Sequence, residues 1–248
     1  MSKNNNTLDG RTALITGAAK RIGAAVTRAL HAAGMNVVIH YHRSVAEAEA
    51  LSRELNEARP DSAVTAQADL LEVGGFPSLV KSARQWGSLD VLVNNASSFF
   101  PTPLGSVNEM QWDDLIGTNL KAPFFLSQAA AAELRAVSGC IINMVDIHAD
   151  RPLDNYPVYC VAKAGLVMLT RSLARELGPD VRVNGIAPGA ILWPEAGVSV
   201  ENRRAILEAT ALKRAGNPAD VARTVLFFVR EAPYVTGQVL AVDGGRTV

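Results

Sequence analysis

Seven short β-branched runs alternate with stretches of helical periodicity along this chain, and no other feature restricts its fold so strongly. The runs are TALIT (12–16), VVIH (37–40), AVTAQADL (63–70), DVLVNN (90–95), CIINMV (140–145), VRVNGIAP (181–188) and QVLAVDG (238–244). Helical spacing of apolar residues falls between most of them, near 22–34, 44–58, 74–87, 108–136, 154–178 and 218–230. Strands that alternate with helices form βαβ units, which predicts a doubly wound α/β domain with a parallel sheet of about seven strands and helices on both faces. At 248 residues the whole chain, 1–248, fits one such domain. The segment 188–216, which begins PGAILWPEAG, interrupts the alternation between the sixth strand and the last helix. Ligands of open α/β sheets lie beyond the carboxyl ends of the strands, so this insertion is a candidate substrate lid.

Composition narrows the class of partner. Lysine plus arginine and aspartate plus glutamate both number 24, so no overall field draws the chain to nucleic acid or to an anionic membrane. The two cysteines, Cys140 and Cys160, have no metal-ligand spacing and are too few for a disulfide scaffold. No metal site is expected. The opening MSKNNNTLDG lacks an apolar core, and no later apolar run approaches the roughly 18 residues of a membrane span, so a soluble cytoplasmic protein is expected.

The first strand, turn and helix read TALIT, GAAKRIG, AAVTRALHAAG, the order a dinucleotide site requires. Gly17 permits the turn, Gly23 permits close packing of helix on sheet, and the helix start offers free N–H groups to a pyrophosphate. The middle position of the turn, which usually holds glycine, is Arg21. The turn itself is expected to rest on Gly17 and Gly23, leaving the Arg21 guanidinium to lie along the pyrophosphate and reach the substrate. At the end of the second strand stand His40, Tyr41, His42, Arg43 and Ser44, with no carboxylate to hold a ribose 2′-OH. Arg43 and Ser44 suit a 2′-phosphate, which predicts NADP(H) over NAD(H).

Tyr159 and Lys163 in YCVAK are one helical turn apart, and an adjacent ammonium would favour the phenolate. This pair is expected to exchange protons near neutrality. Asp146 in NMVD precedes Tyr159 by thirteen residues. A carboxyl bonded to the phenol can hold and pass a proton, which suits reduction of a C=N bond, whose nitrogen is more basic than a ketone oxygen. A flat heterocycle favours an aromatic platform, and of Phe99 and Phe100 only one need face it. Trp193 lies in the lid segment, either closing over the outer part of the substrate or packing the lid onto the domain. His31 and His148 gain no role, and Cys160 is expected to be a packing residue.

With TGxxxxxG, VNNA at 93–96, Asn119, YCVAK and VRVNGIAPG at 181–189 in this order, the chain resembles the short-chain dehydrogenase/reductase family over nearly its whole length. The resemblance implies a Rossmann fold, with Tyr159 as proton donor and Lys163 on the nicotinamide ribose. Asn119 would support a proton-relay water. Ile22, Asp69, Leu70, Asn95, Ala96, Pro188 and Gly189 would line the cofactor. Asp146 stands where the family commonly has serine, and VNNAG has become VNNAS at Ser97. Together with Arg21, HYHRS and NNASSFFPTPL, these departures resemble the pteridine reductase branch. That branch implies NADPH-dependent reduction of a pterin or dihydropterin, with folates as related substrates. Asp146, Tyr159 and Lys163 would be catalytic, Ser97 would touch both ligands, and the pterin would be stacked on Phe99. A homotetramer is implied by the resemblance alone. Two other readings stand beside it: a carbonyl-reducing member acting on a 3-oxoacyl thioester, and a non-catalytic NADP-binding sensor.

Overall fold

The computed structural model describes residues 7–193 and 197–248. Seven strands form one parallel sheet: β1 (Thr12–Ile15), β2 (Asn36–Tyr41), β3 (Ala63–Gln67), β4 (Val91–Asn94), β5 (Cys140–Met144), β6 (Arg182–Pro188) and β7 (Val239–Val242). Their order is β3-β2-β1-β4-β5-β6-β7, and the order reverses between β1 and β4. The interior strands are mostly apolar because both faces are covered, with Asn94, Asn143 and Asn184 buried among them. Along β1, β4 and β5, Ala13, Ile15, Val91, Val93, Cys140 and Ile142 enter one core, while Leu14, Leu92 and Ile141 enter the other.

The first core is closed by α1 (Arg21–Ala32) and α8 (Pro218–Arg230), which meet through Val26, Leu30, Val225 and Phe228. The second is closed by α3 (Phe76–Lys81), α5 (Ala122–Ala136) and α6 (Pro157–Glu176), with Phe76, Leu79, Leu126, Leu134 and Ala174 buried. α2 (Val45–Ala58) packs Leu51 and Leu55 into the first core, α4 (Glu109–Ile116) precedes α5, and α7 (Val200–Glu208) lies in the insertion.

Three expected helices differ in detail. The segment 74–87 breaks into 3₁₀ turns at Val73–Gly75 and Ser82–Trp86 flanking α3, with Gly74, Gly75 and Pro77 disfavouring a helix start upstream and Gly87 (φ 97°) ending the run. The segment 108–136 is one helical path, but a π-helical turn at Gly117–Lys121 separates α4 from α5. Asn119 stands in that turn, donating from Nδ2 to the Leu115 carbonyl at 2.9 Å. The helix expected from 154 begins at Pro157, because Asn155 is left-handed (φ 65°) and Pro157 favours a first helical position. Among the described residues, no helix is long and apolar enough to cross a membrane.

Candidate active site

The carboxyl ends of β1, β4, β5 and β6 converge on a cleft of about 840 Å³. At its floor, Asn95 locks the glycine loop to β4: its Nδ2 donates to the Thr16 and Gly17 carbonyls at 2.8 and 3.1 Å. Thr16 Oγ1 accepts from the amides of Asn95 and Ala96 at 2.9 and 3.0 Å. A β-carbon at Gly23 would come 2.2 Å from the Gly17 carbonyl and 2.7 Å from Asn95 Nδ2, so only glycine fits there. The close backbone cradle and the unpaired amides that open any helix make this loop fit a dinucleotide pyrophosphate.

Arg21 corrects one expectation. It adopts φ 54°, the left-handed region, so the turn still needs a left-handed residue at this position, and arginine occupies it at a cost of about 1–2 kcal/mol. Its guanidinium faces the cleft and donates to the Trp193 carbonyl at 3.1 Å.

His40 is also placed differently from expectation. It is buried, Nδ1 accepting from the Gly17 amide at 3.1 Å and Nε2 therefore donating to the Ala68 carbonyl at 3.2 Å. Burial pushes its pKa down to about 4, keeping the ring neutral. It shapes the loop from beneath and lies away from the cleft wall. Tyr41 ends β2 and packs against the first core, while His42, Arg43, Ser44 and Asp69 lie beyond β2 and β3; all five are outside the cleft lining, with His42 Nε2 3.5 Å from Asp69. Arg43 is exposed, and Ser44 precedes α2. The Leu70 side chain is buried in the second core, so only its backbone can face a ligand.

Of the residues expected to bind the cofactor, Gly17, Ile22, Gly23, Asn95, Ala96, Ser97, Pro188 and Gly189 line the cleft. Gly189 is pressed against Asp243, where a β-carbon would come within 2.7 Å.

The reacting groups lie just after β5, on α6 and in the loop after β4. The Tyr159 hydroxyl donates to Asp146 Oδ2 at 2.8 Å, and Asp146 Oδ1 accepts from the His148 amide at 2.8 Å. Burial, together with the Asp146 carboxylate beside it, raises the Tyr159 pKa well above that of a free phenol, against a smaller opposing effect of the Ser97 hydroxyl. The expected phenolate is thus disfavoured: the tyrosine proton is held against a carboxylate. Lys163 Nζ instead donates to the Met144 carbonyl at 2.9 Å and lies 5.6 Å from the Tyr159 ring centre. Burial pulls its pKa down to about 8, partly offset by Asp146. Asn119 accepts from Ser97 Oγ at 2.6 Å and donates to the Ser98 carbonyl at 2.9 Å, fixing the loop that carries Phe99.

Phe99 lines the cleft, whereas Phe100 packs against the cluster of Leu115, Val158, Tyr159 and Cys160. Phe99 stacks on Tyr156 at 4.6 Å and 14°, and meets Tyr159 edge-on at 4.8 Å. Tyr156 escaped sequence reasoning, although its position three residues before Tyr159 carried the signal. Lys20, His148, Leu153 and Arg246 also line the cleft unforeseen. Lys20 pairs with Glu47 at 2.7 Å. Arg246 gave no sequence signal, because only the fold brings the C-terminal tail here. In the expected lid 188–216, Trp193 faces the cleft with Arg203 of α7 5.2 Å from its ring centre. Pro194, Glu195 and Ala196 of that lid lie outside the described residues. Among the described residues, no cluster of three or more histidine, cysteine or acidic side chains could hold a metal.

A glycine cradle at a topological switch point, with a tyrosine and a lysine one helical turn apart across the cleft, defines a nucleotide-binding oxidoreductase domain. The family model described as enoyl-(acyl carrier protein) reductase matches residues 17–247. The chain belongs to the short-chain dehydrogenase/reductase family. It is 41% identical to pteridine reductase 1 of Leishmania tarentolae, over 95% of this chain and 96% of that protein. It is 37% identical to a 3-oxoacyl-(acyl-carrier-protein) reductase of Staphylococcus aureus, over 95% of this chain and 97% of that one. A solved structure, a blue fluorescent protein from a metagenomic library in complex with NADPH, superposes with a TM-score of 0.91 at 34% identity, covering 98% of this chain and all of the other.

Proposed function

We propose that this protein is an NADPH-dependent pteridine reductase that converts a dihydropterin, and related oxidised pterins or folates, to the tetrahydro form. The observation that carries the reading is the 2.8 Å bond from Tyr159 to Asp146 beside an aromatic wall of Phe99 and Tyr156. An ionised carboxylate at this position cannot donate to a ketone oxygen and would repel an alkoxide, so the site is poorly suited to carbonyl reduction. It is well suited to a C=N bond, whose nitrogen needs a proton.

When bound, NADPH supplies a hydride to the carbon of that bond. Tyr159 delivers the proton to the nitrogen, and Asp146 returns a proton to Tyr159 from solvent, so one hydride and one proton are consumed per bond reduced. Lys163 holds the nicotinamide ribose and contributes positive charge beside the phenol. Gly17, Ile22 and Gly23 receive the pyrophosphate, while His42, Arg43 and Ser44 receive the 2′-phosphate. Phe99 offers its face to the pterin, and Trp193 covers the outer side. The relative named as a pteridine reductase and the neighbour that holds NADPH support this assignment.

The test is Asp146→Asn, which keeps the shape of the site but removes the carboxylate that relays the proton. The expected result is a fall in kcat with dihydropterin of about 10²-fold or more, the usual scale for a positioned acid. An unchanged kcat would reduce Asp146 to a cap on the following turn.

A further inference from the structure

The cleft has an excess of positive charge that the proposed reaction does not use up. Among the described residues lining it, Asp146 is the only carboxylate, against Lys20, Arg21, Lys163 and Arg246. Lys20 is paired with Glu47, Arg21 is bonded to the Trp193 carbonyl, and Lys163 to the Met144 carbonyl. The Arg246 side chain, half-buried, has no hydrogen-bond or ion-pair partner among the described residues.

The tail that carries it is nevertheless firmly built. Asp243 accepts from the Gly245 amide at 2.8 Å, from the Thr247 amide at 2.9 Å and from Thr247 Oγ1 at 2.8 Å. Gly244 and Gly245 are left-handed, at φ 67° and 77°, which turns the chain back toward the cleft. Arg151 then clips the tail to the loop after β5, donating to the Thr247 carbonyl at 3.0 Å, while its own carbonyl accepts from His148 Nδ1 at 2.8 Å. Arg151 is largely exposed, so this junction lies at the rim. A guanidinium kept without a partner in a half-buried position loses hydration, and a bidentate anion restores what it lost.

We infer that Arg246 is a specificity-determining residue that binds a carboxylate at the outer end of the substrate, so that the cleft favours a pterin with an acidic tail, as in dihydrofolate, over one with a short neutral tail. The inference rests on the pterin reading of the site. The Nδ1–H tautomer of His148 leaves Nε2 beside the same opening as an acceptor for an N–H of the tail.

The experiment compares kcat/KM for dihydrofolate and for dihydrobiopterin, with NADPH, in wild type, Arg246→Gln and Arg246→Lys. The ratio of the two should fall about 10-fold or more in Arg246→Gln, through KM for dihydrofolate, and stay within about threefold of wild type in Arg246→Lys, which keeps the charge. If the wild type reduces neither compound, the pterin reading falls and takes this inference with it. If both are reduced and the glutamine variant leaves the ratio within about threefold, or the lysine variant drops as far as glutamine, only the inference falls.

Discussion

At the scale of single residues the site is governed by where protons are held. Lys163 has a pKa drawn down to about 8 by burial, so its ammonium is lost as pH rises through that value. If the charge supports the reaction, kcat/KM should decline above about pH 8, and a pH–rate profile reads this directly. Asp146 raises the lysine pKa, so Asp146→Asn should move that alkaline limb to lower pH as well as lowering its plateau. Arg21 offers a second test, because its left-handed backbone and its guanidinium make separable contributions. Arg21→Gly and Arg21→Ala both remove the side chain, yet only glycine relieves the φ strain. The glycine variant should be the more stable by about 1 kcal/mol, seen as a gap of about 2–4 °C in melting temperature, while both weaken pterin binding. The residue pattern made Tyr159, Lys163, Asp146 and Phe99 legible because each sits at a fixed offset within a motif. It misjudged His40, since the same strand-end position can point outward to a phosphate or inward beneath the loop, and only packing decides. It also expected the lysine to favour the phenolate, when burial and the nearer carboxylate hold the proton on the phenol.

At the scale of elements, the cofactor loop is held by β2 and β4 as much as by its own glycines. His40 has a folded pKa of about 4 against an ordinary 6.5. Between these values the unfolded chain binds the extra proton and the folded one does not, so stability rises with pH across this window and is lost as pH falls from 6.5 toward 4. The loss amounts to about 3 kcal/mol. Urea melts at pH 7 and pH 4.5 should show it, and the slope should flatten in His40→Asn. On the other side, Gly23→Ala would drive a β-carbon into the Gly17 carbonyl, and it should abolish NADPH binding measured by fluorescence titration. The strands and most helices were legible because apolar runs buried on two faces are distinctive. The breaks were not: the π-helical turn at Gly117–Lys121 carries Asn119, whose bond to the distant Ser98 is tertiary, and the 3₁₀ turns around α3 follow local glycines, and hydrophobic periodicity encodes neither.

For the whole molecule, the doubly wound order places every candidate group at one end of the sheet, and the C-terminal tail is the least foreseeable contributor. Trp112 on α4, Phe124 on α5, and Val161 and Met168 on α6 remain exposed on the outer helical layer. We propose that copies meet through these side chains in the homotetramer that the resemblance implies, and light scattering after gel filtration should then give about four times the 26.3 kDa chain mass. The proposed reaction is reduction of a pterin C=N bond and not of a ketone. Its most direct test is NADPH oxidation by the purified protein with dihydrobiopterin and, in parallel, with an acetoacetyl thioester. kcat/KM should be at least about 10²-fold higher for the dihydropterin, and turnover of the thioester alone would overturn the pterin reading.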